Sequence, residues 1–222
     1  MGGLPPLKKG MGDASFMKNK KAFLLIGLLL VYTSMVSSED NINIQDYFPH
    51  QKSSSWVYAN GKGNETLKIV VKDSTIDKRD GSILSLFIEE IKNFGTTTSF
   101  YNVRKDIVLL VVSKNVLGQY TEYEPPFPLV LGKPSLKYQS NDRGDILIYD
   151  CSKSSCKFDS KTFPDCILVK ETLMADLKFR RIKKSYYAKG VGLVYVTISD
   201  ADGSNEYVFM KLIRSSLLKE TK

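Results

Sequence analysis

The sequence predicts a mainly β, antiparallel protein whose sheet is curled or half-barrel-like, with few or no helices beyond an N-terminal segment. Twelve Tyr and eleven Phe, together with many Val, Ile and Thr, favour strands. Short apolar runs bounded by turn residues recur along the chain, as in antiparallel sheets. Residues 39–222 are enough for a single domain with a sizeable core.

Residues 1–38 are predicted to be an over-long start followed by a signal peptide. A basic start at Met17 precedes the apolar run Ala22–Val36, and small side chains lead to a cleavage site after Ser38. The run is shorter than the roughly 20 residues of a membrane-spanning helix. We therefore expect export to a periplasm or to the exterior, with only transient membrane contact through this segment. Tethering to an inner membrane by residues 22–38 is the alternative.

Charge gives little reason to expect a nucleic-acid partner. The whole chain carries a net charge of +8, but residues 1–38 hold five lysines and one acid, which leaves +4 on residues 39–222. Such a balance keeps a protein soluble without making it a nucleic-acid binder. The dense basic run 178–187 is expected to be a solvated strand or turn whose charges protect an exposed sheet edge.

The first elements of the domain are predicted to be a hairpin over Trp56–Asp73, with its turn at Asn60-Gly61. The next stretch, 82–94, is ambiguous because its apolar residues match both helical spacing and strand alternation. Gly95 would suit a helix C-cap. An α+β fold with a helix around 82–94 is therefore the alternative to the all-strand fold.

Four prolines lie between Pro125 and Pro134. Proline cannot donate to a sheet ladder, so this segment is predicted to be a crossing or an edge segment near 125–134. It divides the domain almost in half. From residue 145 to residue 213, short strand-like segments again alternate with turn residues.

The three cysteines are Cys151, Cys156 and Cys166. An exported protein can form disulfides, and the polar loop "CSKSSC" favours a bridge between Cys151 and Cys156, with Cys166 buried and free. The other two pairings, or no bridge, stay open. A three-cysteine metal site is not expected, because His50 is distant and the chain has no C-x-x-C.

The stretch Gly190-Val191-Gly192 resembles a phosphate-binding loop only at first sight. A phosphate loop leads into a helix, whereas this one leads into the β-branched run "LVYVTI". The glycines are expected to let the chain bend and a neighbouring aromatic ring lie over the backbone. The oxygen-rich stretch Asp200–Glu206 is likewise interpreted as a hairpin turn, and calcium binding is the weaker alternative.

No catalytic residue, cofactor or metal site is predicted. His50 is the only histidine, and no nucleophile pattern accompanies it, so a hydrolytic triad is not expected. A carboxylate pair is the remaining catalytic alternative, although the spacing of the candidate acids gives no reason to pair any two of them. The acids considered are Glu89, Glu90, Asp145 and Asp165.

Several short motifs resemble those of bacterial exported proteins and lipoproteins of unknown function. The matching residues are Tyr47-Phe48-Pro49, Trp56-Val57-Tyr58, Pro128 to Pro134, Asp165-Cys166-Ile167 and Tyr187 to Val194. The residues to which this resemblance gives structural roles are Tyr47, Phe48, Pro49, Trp56, Tyr58, Cys166, Tyr187, Gly190 and Gly192. The resemblance implies a β-rich domain with a curled sheet similar to those that cradle lipids or lipoproteins. The chain departs from many such proteins in lacking a cysteine near residue 38 for lipidation and in having Ser135 after "GKP".

Together these features predict an exported cell-envelope protein that binds a lipid, a peptide or an envelope protein without catalysis. Two alternatives belong to other classes. One is an envelope enzyme with a carboxylate-based site, and the other is a structural component of the envelope.

Overall fold

A computed structural model describes residues 42–132, 136–139, 146–175 and 178–217. The predicted over-long start and signal segment, 1–38, lies outside the described residues. The described residues contain no helix with the length and apolar character needed to cross a membrane.

Within the described part, twelve antiparallel strands form one sheet, preceded by the short 3-10 helix Ile44–Asp46. The mainly β, antiparallel prediction is confirmed. The strands are β1 (Ser55–Ala59), β2 (Glu65–Ile76), β3 (Ile83–Ile91), β4 (Gly95–Val103), β5 (Ile107–Lys114), β6 (Tyr120–Leu131), β7 (Leu136–Gln139), β8 (Ile146–Phe158), β9 (Lys161–Ala175), β10 (Lys178–Ala188), β11 (Gly192–Asp200) and β12 (Tyr207–Ser215).

The sheet consists of two six-stranded meanders joined in the middle. Its spatial order is β6-β5-β4-β3-β2-β1-β12-β11-β10-β9-β8-β7, so pairing of β1 with β12 unites the halves. Strand β6 is an edge strand and contains Pro125, Pro126 and Pro128. Proline has no amide hydrogen to donate to a neighbouring strand, so it is tolerated at a sheet edge. The chain then passes to β7 at the opposite edge. The hydroxyl of Tyr149 in β8 donates to the carbonyl of Pro128 at 2.9 Å, which shows how far the sheet curls.

The alternative of a helix at 82–94 is wrong. Residues Ile83–Ile91 form β3, which pairs with β2 and β4 along its length. Burial alternates with period two, because Ile83 and Phe87 are buried while Leu84 is half exposed. Phe94, on the expected helical face, is 75% exposed in the following turn. Pairing on both sides decided the structure where local spacing fitted either element.

The predicted disulfide is also corrected, since the bridge joins Cys156 to Cys166 and Cys151 is buried with a free thiol. Cys151 and Cys156 lie on the same extended strand, β8. Five residues of strand span about 17 Å, far beyond the roughly 7 Å that a disulfide allows between Cα atoms. The hairpin brings Cys166 of β9 alongside instead, with its Cα 6.0 Å from that of Cys156.

The end of the β8–β9 hairpin folds over the outer face of β10–β12. The ring of Phe158 stacks on Tyr195 with centroids 3.9 Å apart, and Asp159 pairs with Lys211 at 3.0 Å. This contact encloses a second, smaller core. Its buried members are Cys156, Cys166, Ala188, Val191 and Val194.

The basic run 178–187 does not protect a sheet edge, because β10 lies between β9 and β11. Two of its lysines are balanced by acids on neighbouring strands. Lys183 pairs with Glu171 of β9 at 3.5 Å, and Lys184 pairs with Glu206 before β12 at 3.0 Å. The positive charge is therefore partly neutralised within the sheet.

The main core lies on the concave inner face of the curled sheet. Both meanders contribute to it, and the segment before β1 packs into one end through Ile44, Tyr47 and Phe48. Further buried members from the strands include Trp56, Tyr58, Phe87, Tyr101, Tyr149, Ile167, Val169 and Tyr187.

Candidate ligand-binding cavity

The turn before β11 is held by the first strand of the domain. The indole Nε1 of Trp56 donates to the carbonyl oxygen of Val191 at 2.6 Å, and the hydroxyl of Tyr58 donates to that of Leu193 at 3.0 Å. Gly192 has φ +96°, and a Cβ there would lie 3.1 Å from Cδ of Pro49. The glycine turn therefore leads into a strand and lets Pro49 and Trp56 approach the backbone.

An ionic cluster fixes the segment before β1 to the same turn. The ammonium of Lys189 lies 3.5 Å from a carboxylate oxygen of Asp46 and 3.7 Å from one of Asp165. The amide of Gly190 donates to the carbonyl of Asp46 at 2.7 Å. The hydroxyl of Tyr47 donates to Asp165 at 2.5 Å, and burial followed by this hydrogen bond raises the pKa of Tyr47 well above its usual value.

Four motif segments thus meet in space, and those around Tyr47 and Trp56 are more than a hundred residues from those around Asp165 and Val191. Tyr187 lies opposite Leu193 in the ladder and Ala188 lies opposite Cys166. Cys166 itself faces the second core, where its disulfide closes the hairpin end. Four other motif side chains, those of Phe48, Trp56, Tyr58 and Tyr187, line the inner face.

A cavity of about 220 Å³ opens beside these residues on the inner face. Among the described residues, seven aromatic side chains line it together with aliphatic ones. Phe87 is at the centre of the aromatic wall, with ring centroids 5.0 Å from Tyr101, 5.5 Å from Phe48 and 6.3 Å from Trp56. The lining residues used below are Phe48, Trp56, Tyr58, Ile69, Phe87, Glu89, Tyr101, Lys183, Tyr187 and Phe209.

The cavity has a polar end at Glu89. Its carboxylate accepts hydrogen bonds from the hydroxyl of Tyr101 at 3.2 Å and from that of Thr97 at 3.3 Å. In the described ranges no lysine or arginine forms an ion pair with it. Lys183 also lines the cavity but is paired with Glu171. The cavity therefore combines aromatic walls with a single uncompensated carboxylate.

Burial keeps the inner phenols protonated. Burial, reinforced by the negative charge of Glu89, raises the pKa of Tyr101. The pKa of Tyr58 is raised by burial, then by Tyr187 and Glu89. Burial and then the charge of Glu171 raise the pKa of Tyr187. These hydroxyls can therefore donate hydrogen bonds across the neutral pH range.

The free thiol of Cys151 is not set up as a nucleophile. Burial raises its pKa to about 11. Reactive cysteines instead have lowered pKa values in electropositive, partly exposed surroundings. The thiol acts as a small apolar group of the core.

The acids and the histidine considered from sequence are scattered. Glu89 faces the cavity, whereas Glu90 is on the outer face and pairs with Lys68 at 3.3 Å. Asp165 belongs to the ionic cluster described above, and Asp145 lies outside the described residues. His50 Nδ1 lies 3.2 Å from the carbonyl oxygen of Phe48 in the loop before β1. The described members of this set do not converge on one point.

The stretch Asp200–Glu206 connects β11 to β12 as a hairpin turn, and its oxygens are occupied within the protein. Asp200 accepts from the Asn205 amide at 2.6 Å, and Asp202 accepts from the backbone amide of Ser204 at 2.8 Å. Glu206 accepts from Thr197 at 2.6 Å. In the part of the chain with described placement, no group of three or more His, Cys, Asp or Glu side chains could hold a metal ion.

Sequence reasoning did not find Phe87 as the centre of the aromatic wall or Glu89 as its polar end. A signal was present, because in a strand these two residues share one face with Ile83 and Ser85. It was obscured by the helical spacing of the same stretch. The sequence shows Lys183 only as part of a basic run, since its partner Glu171 is on another strand.

The fold and the site define a curled antiparallel β-sheet protein with an aromatic-lined cavity on its inner face. No protein-family model and no curated protein matches the chain. Among solved structures, a protein of Bacteroides fragilis described as exported and as having a YmcC-like fold is similar, at 9% identity and a TM-score of 0.44, over 77% of this chain and 98% of that one. A protein of Parabacteroides distasonis described as a lipoprotein is similar at 12% identity and a TM-score of 0.45, over the same shares of the two chains.

Proposed function

We propose that this chain is an exported binding protein that takes an apolar group of its ligand into the aromatic-lined cavity. The observation that carries the proposal is the cavity itself, an open space on the inner face lined by seven aromatic side chains among the described residues. Well-packed interiors leave few voids larger than a water molecule, and ligand sites are concave, mostly apolar and furnished with a few polar groups.

The size of the cavity limits the group that enters. Its 220 Å³ exceeds the roughly 150 Å³ of an engineered cavity that binds benzene. It is smaller than the 300–1,000 Å³ typical of sites for drug-sized ligands. We therefore propose that one ring or the end of one acyl chain enters, while the remainder of a lipid or peptide stays outside.

Binding is favoured over catalysis by the chemistry around Glu89. Its carboxylate accepts from two neutral hydroxyls, and among the described cavity residues no second acid, histidine or thiol stands beside it to share a proton-transfer step. General acid–base catalysis by carboxylates uses two groups held in different protonation states. A single carboxylate can instead orient a polar part of the ligand.

Export is supported by two independent features. The disulfide between Cys156 and Cys166 is of the kind that persists in a periplasm or outside the cell. The segment 17–38 has the parts of a secretory signal. We further propose that the chain belongs with the bacterial exported proteins whose motifs it shares, because those motif residues pack against one another around the glycine turn.

Trp56 allows a direct test, because it is the only tryptophan and lies in the cavity wall. Its emission should change saturably when the purified protein is titrated with dodecanoic acid or with N-acetyl-phenylalaninamide. Ile69→Phe, which fills part of the cavity, should weaken this response about tenfold, as expected for loss of one buried apolar group.

Ile88→Phe is the matched control. Ile69 of β2 lies opposite Glu89 of β3, and Ile88 is the residue before Glu89. Because successive side chains of a strand point to opposite faces, Ile88 points to the outer face of β3. This variant should therefore retain the response. A titration with no saturable change for either probe would contradict the proposal. So would equal binding by Ile69→Phe and the wild-type protein.

A further inference from the structure

Four exposed apolar side chains are gathered on two neighbouring hairpin turns. Phe94 is 75% exposed, Leu117 79%, Tyr120 66% and Val116 45%. The turns β3–β4 and β5–β6 lie at the same end of the sheet because all strands are antiparallel. They also touch, since a Cβ on Gly95 would lie 3.4 Å from Cγ1 of Val116. These four residues, Phe94, Val116, Leu117 and Tyr120, are called the tip patch below.

The turns that present the tip patch are well ordered by their own polar groups. The side-chain oxygen of Asn115 accepts from the amides of Leu117 and Gln119, both at 3.0 Å. The amide of Phe94 donates to the carbonyl of Ile91 at 3.0 Å. Turn positions such as these normally carry polar side chains. Neither turn needs an apolar residue at its tip. The local structure of the turns therefore does not explain why Phe94 and Leu117 are apolar.

The charge around the tip patch is positive. Lys92 and Lys114 flank the two turns, and no acid occurs in residues 91–98 or 113–121. The ammonium of Lys114 lies 5.1 Å from the ring centroid of Tyr120. Three acids lie nearest on these strands. Glu90 is already paired with Lys68 at 3.3 Å, Glu89 faces the cavity and accepts from two hydroxyls, and Glu122 belongs to β6.

We propose that the tip patch docks the protein on the surface of a bilayer that contains anionic phospholipid. Phe94 and Leu117 enter the boundary between headgroups and acyl chains, and Lys92 and Lys114 face the lipid phosphates. Apolar and aromatic side chains beside basic ones are the combination that binds membrane interfaces. The patch projects from turns, which suits insertion between lipids better than the flat contact of two folded surfaces.

The cavity approaches the surface at the same end of the sheet. Glu89, at its polar end, is two residues from the last residue of β3. Phe209 lines the cavity and is 52% exposed. The residue before it, Val208, has its carbonyl oxygen beside Gly61 of the β1–β2 turn, which is at this same end of the sheet. Docking through the tip patch would therefore bring the cavity close to the lipid surface. The docking proposal does not depend on what the cavity binds.

The test is co-sedimentation of the purified protein with lipid vesicles. The wild-type chain should sediment with vesicles of phosphatidylglycerol mixed with phosphatidylcholine, and less with phosphatidylcholine alone. The double variant Phe94→Ser, Leu117→Ser should lower the apparent affinity about tenfold or more, because two apolar side chains no longer enter the interface. Lys92→Gln with Lys114→Gln should reduce only the preference for the anionic vesicles.

The matched control is Ile76→Ser with Leu84→Ser, which removes two side chains of 64% and 50% exposure from the opposite end of β2 and β3. It should bind vesicles as the wild type does, and circular dichroism should show that all three double variants are folded. The cavity variant Ile69→Phe should also bind normally, which separates docking from ligand binding. Equal binding by the Phe94→Ser, Leu117→Ser variant and the Ile76→Ser, Leu84→Ser control would overturn the proposal. So would no binding by the wild type, or a dimer that dissociates on changing the tip patch.

Discussion

The indole of Trp56 and the carbonyl oxygen of Val191 are joined by a 2.6 Å hydrogen bond across 135 positions of sequence. The bond ties β1, in the first meander, to the turn that enters β11 in the second. Trp56 is 3% exposed and also faces Phe87 in the cavity wall. One side chain therefore connects the two halves of the sheet and forms part of the candidate site.

Replacing Trp56 with Phe should destabilise the fold by about 1–3 kcal/mol, because the carbonyl of Val191 would stay buried without its donor. Urea unfolding followed by circular dichroism measures the change. Tyr58→Phe removes a similar but longer bond, 3.0 Å to Leu193, and should have a smaller effect. An unfolding free energy unchanged in Trp56→Phe would show that this bond contributes little to joining the halves.

Gly192→Ala should be more damaging than Gly190→Ala. Both glycines have positive φ, 96° and 70°, so each substitution incurs a backbone cost of about 1–2 kcal/mol. At Gly192 the new Cβ would also meet Cδ of Pro49 at 3.1 Å, whereas at Gly190 it meets nothing within 4 Å. Thermal unfolding of the two variants compares them directly. Equal losses would mean that Pro49 moves aside without cost.

Removing the disulfide by Cys156→Ser with Cys166→Ser should destabilise the protein by about 2–3 kcal/mol, from the loop that a bridge of this separation closes. The same pairing predicts the pattern of thiol labelling. The unreduced protein should take up iodoacetamide only after unfolding, and then on Cys151 alone, because that thiol is buried with a pKa of about 11.

Peptide mass mapping after labelling identifies the modified cysteine. Labelled Cys166 with a bridged Cys151 would contradict the observed pairing. The variant Cys151→Ala is the control, since it should keep the bridge intact and leave the unreduced, unfolded chain without any reactive thiol.

Alkaline pH should unfold the protein through its buried phenols. The pKa values of Tyr58, Tyr101 and Tyr187 are raised in the folded state by burial. Such groups stabilise the fold fully below the unfolded pKa of about 10, and this contribution is lost as the pH rises further, because the unfolded chain then releases their protons. The unfolding free energy should therefore fall above about pH 10.

Spectrophotometric titration of phenolate absorbance, combined with urea unfolding, tests this expectation. Tyr101→Phe should flatten the decline in stability, by up to about 1.4 kcal/mol per pH unit for one proton. Tyr207→Phe is the control, since Tyr207 is 55% exposed. Buried phenols that titrate with the exposed ones in the folded protein would contradict the prediction.

Strands and turns could be predicted from sequence because their signals are local. The alternation at Trp56-Val57-Tyr58, the turn at Asn60-Gly61 and the proline-rich edge segment each need only a few neighbouring residues. Local signals do not decide between helix and strand for the stretch 82–94, because its short apolar run fits both the helical and the strand period. Only its pairing with β2 and β4 made it a strand.

The sequence by itself determined the β class, the strand-forming segments other than 82–94 and the residue types from which the site is built, since these follow from periodicity and turn chemistry. The tertiary structure alone decided that Cys156 meets Cys166, that Glu89 faces the cavity and that Trp56 reaches Val191. The physical reason is that these contacts depend on strand register and sheet curvature. Both arise from the packing of the whole sheet rather than from any one segment.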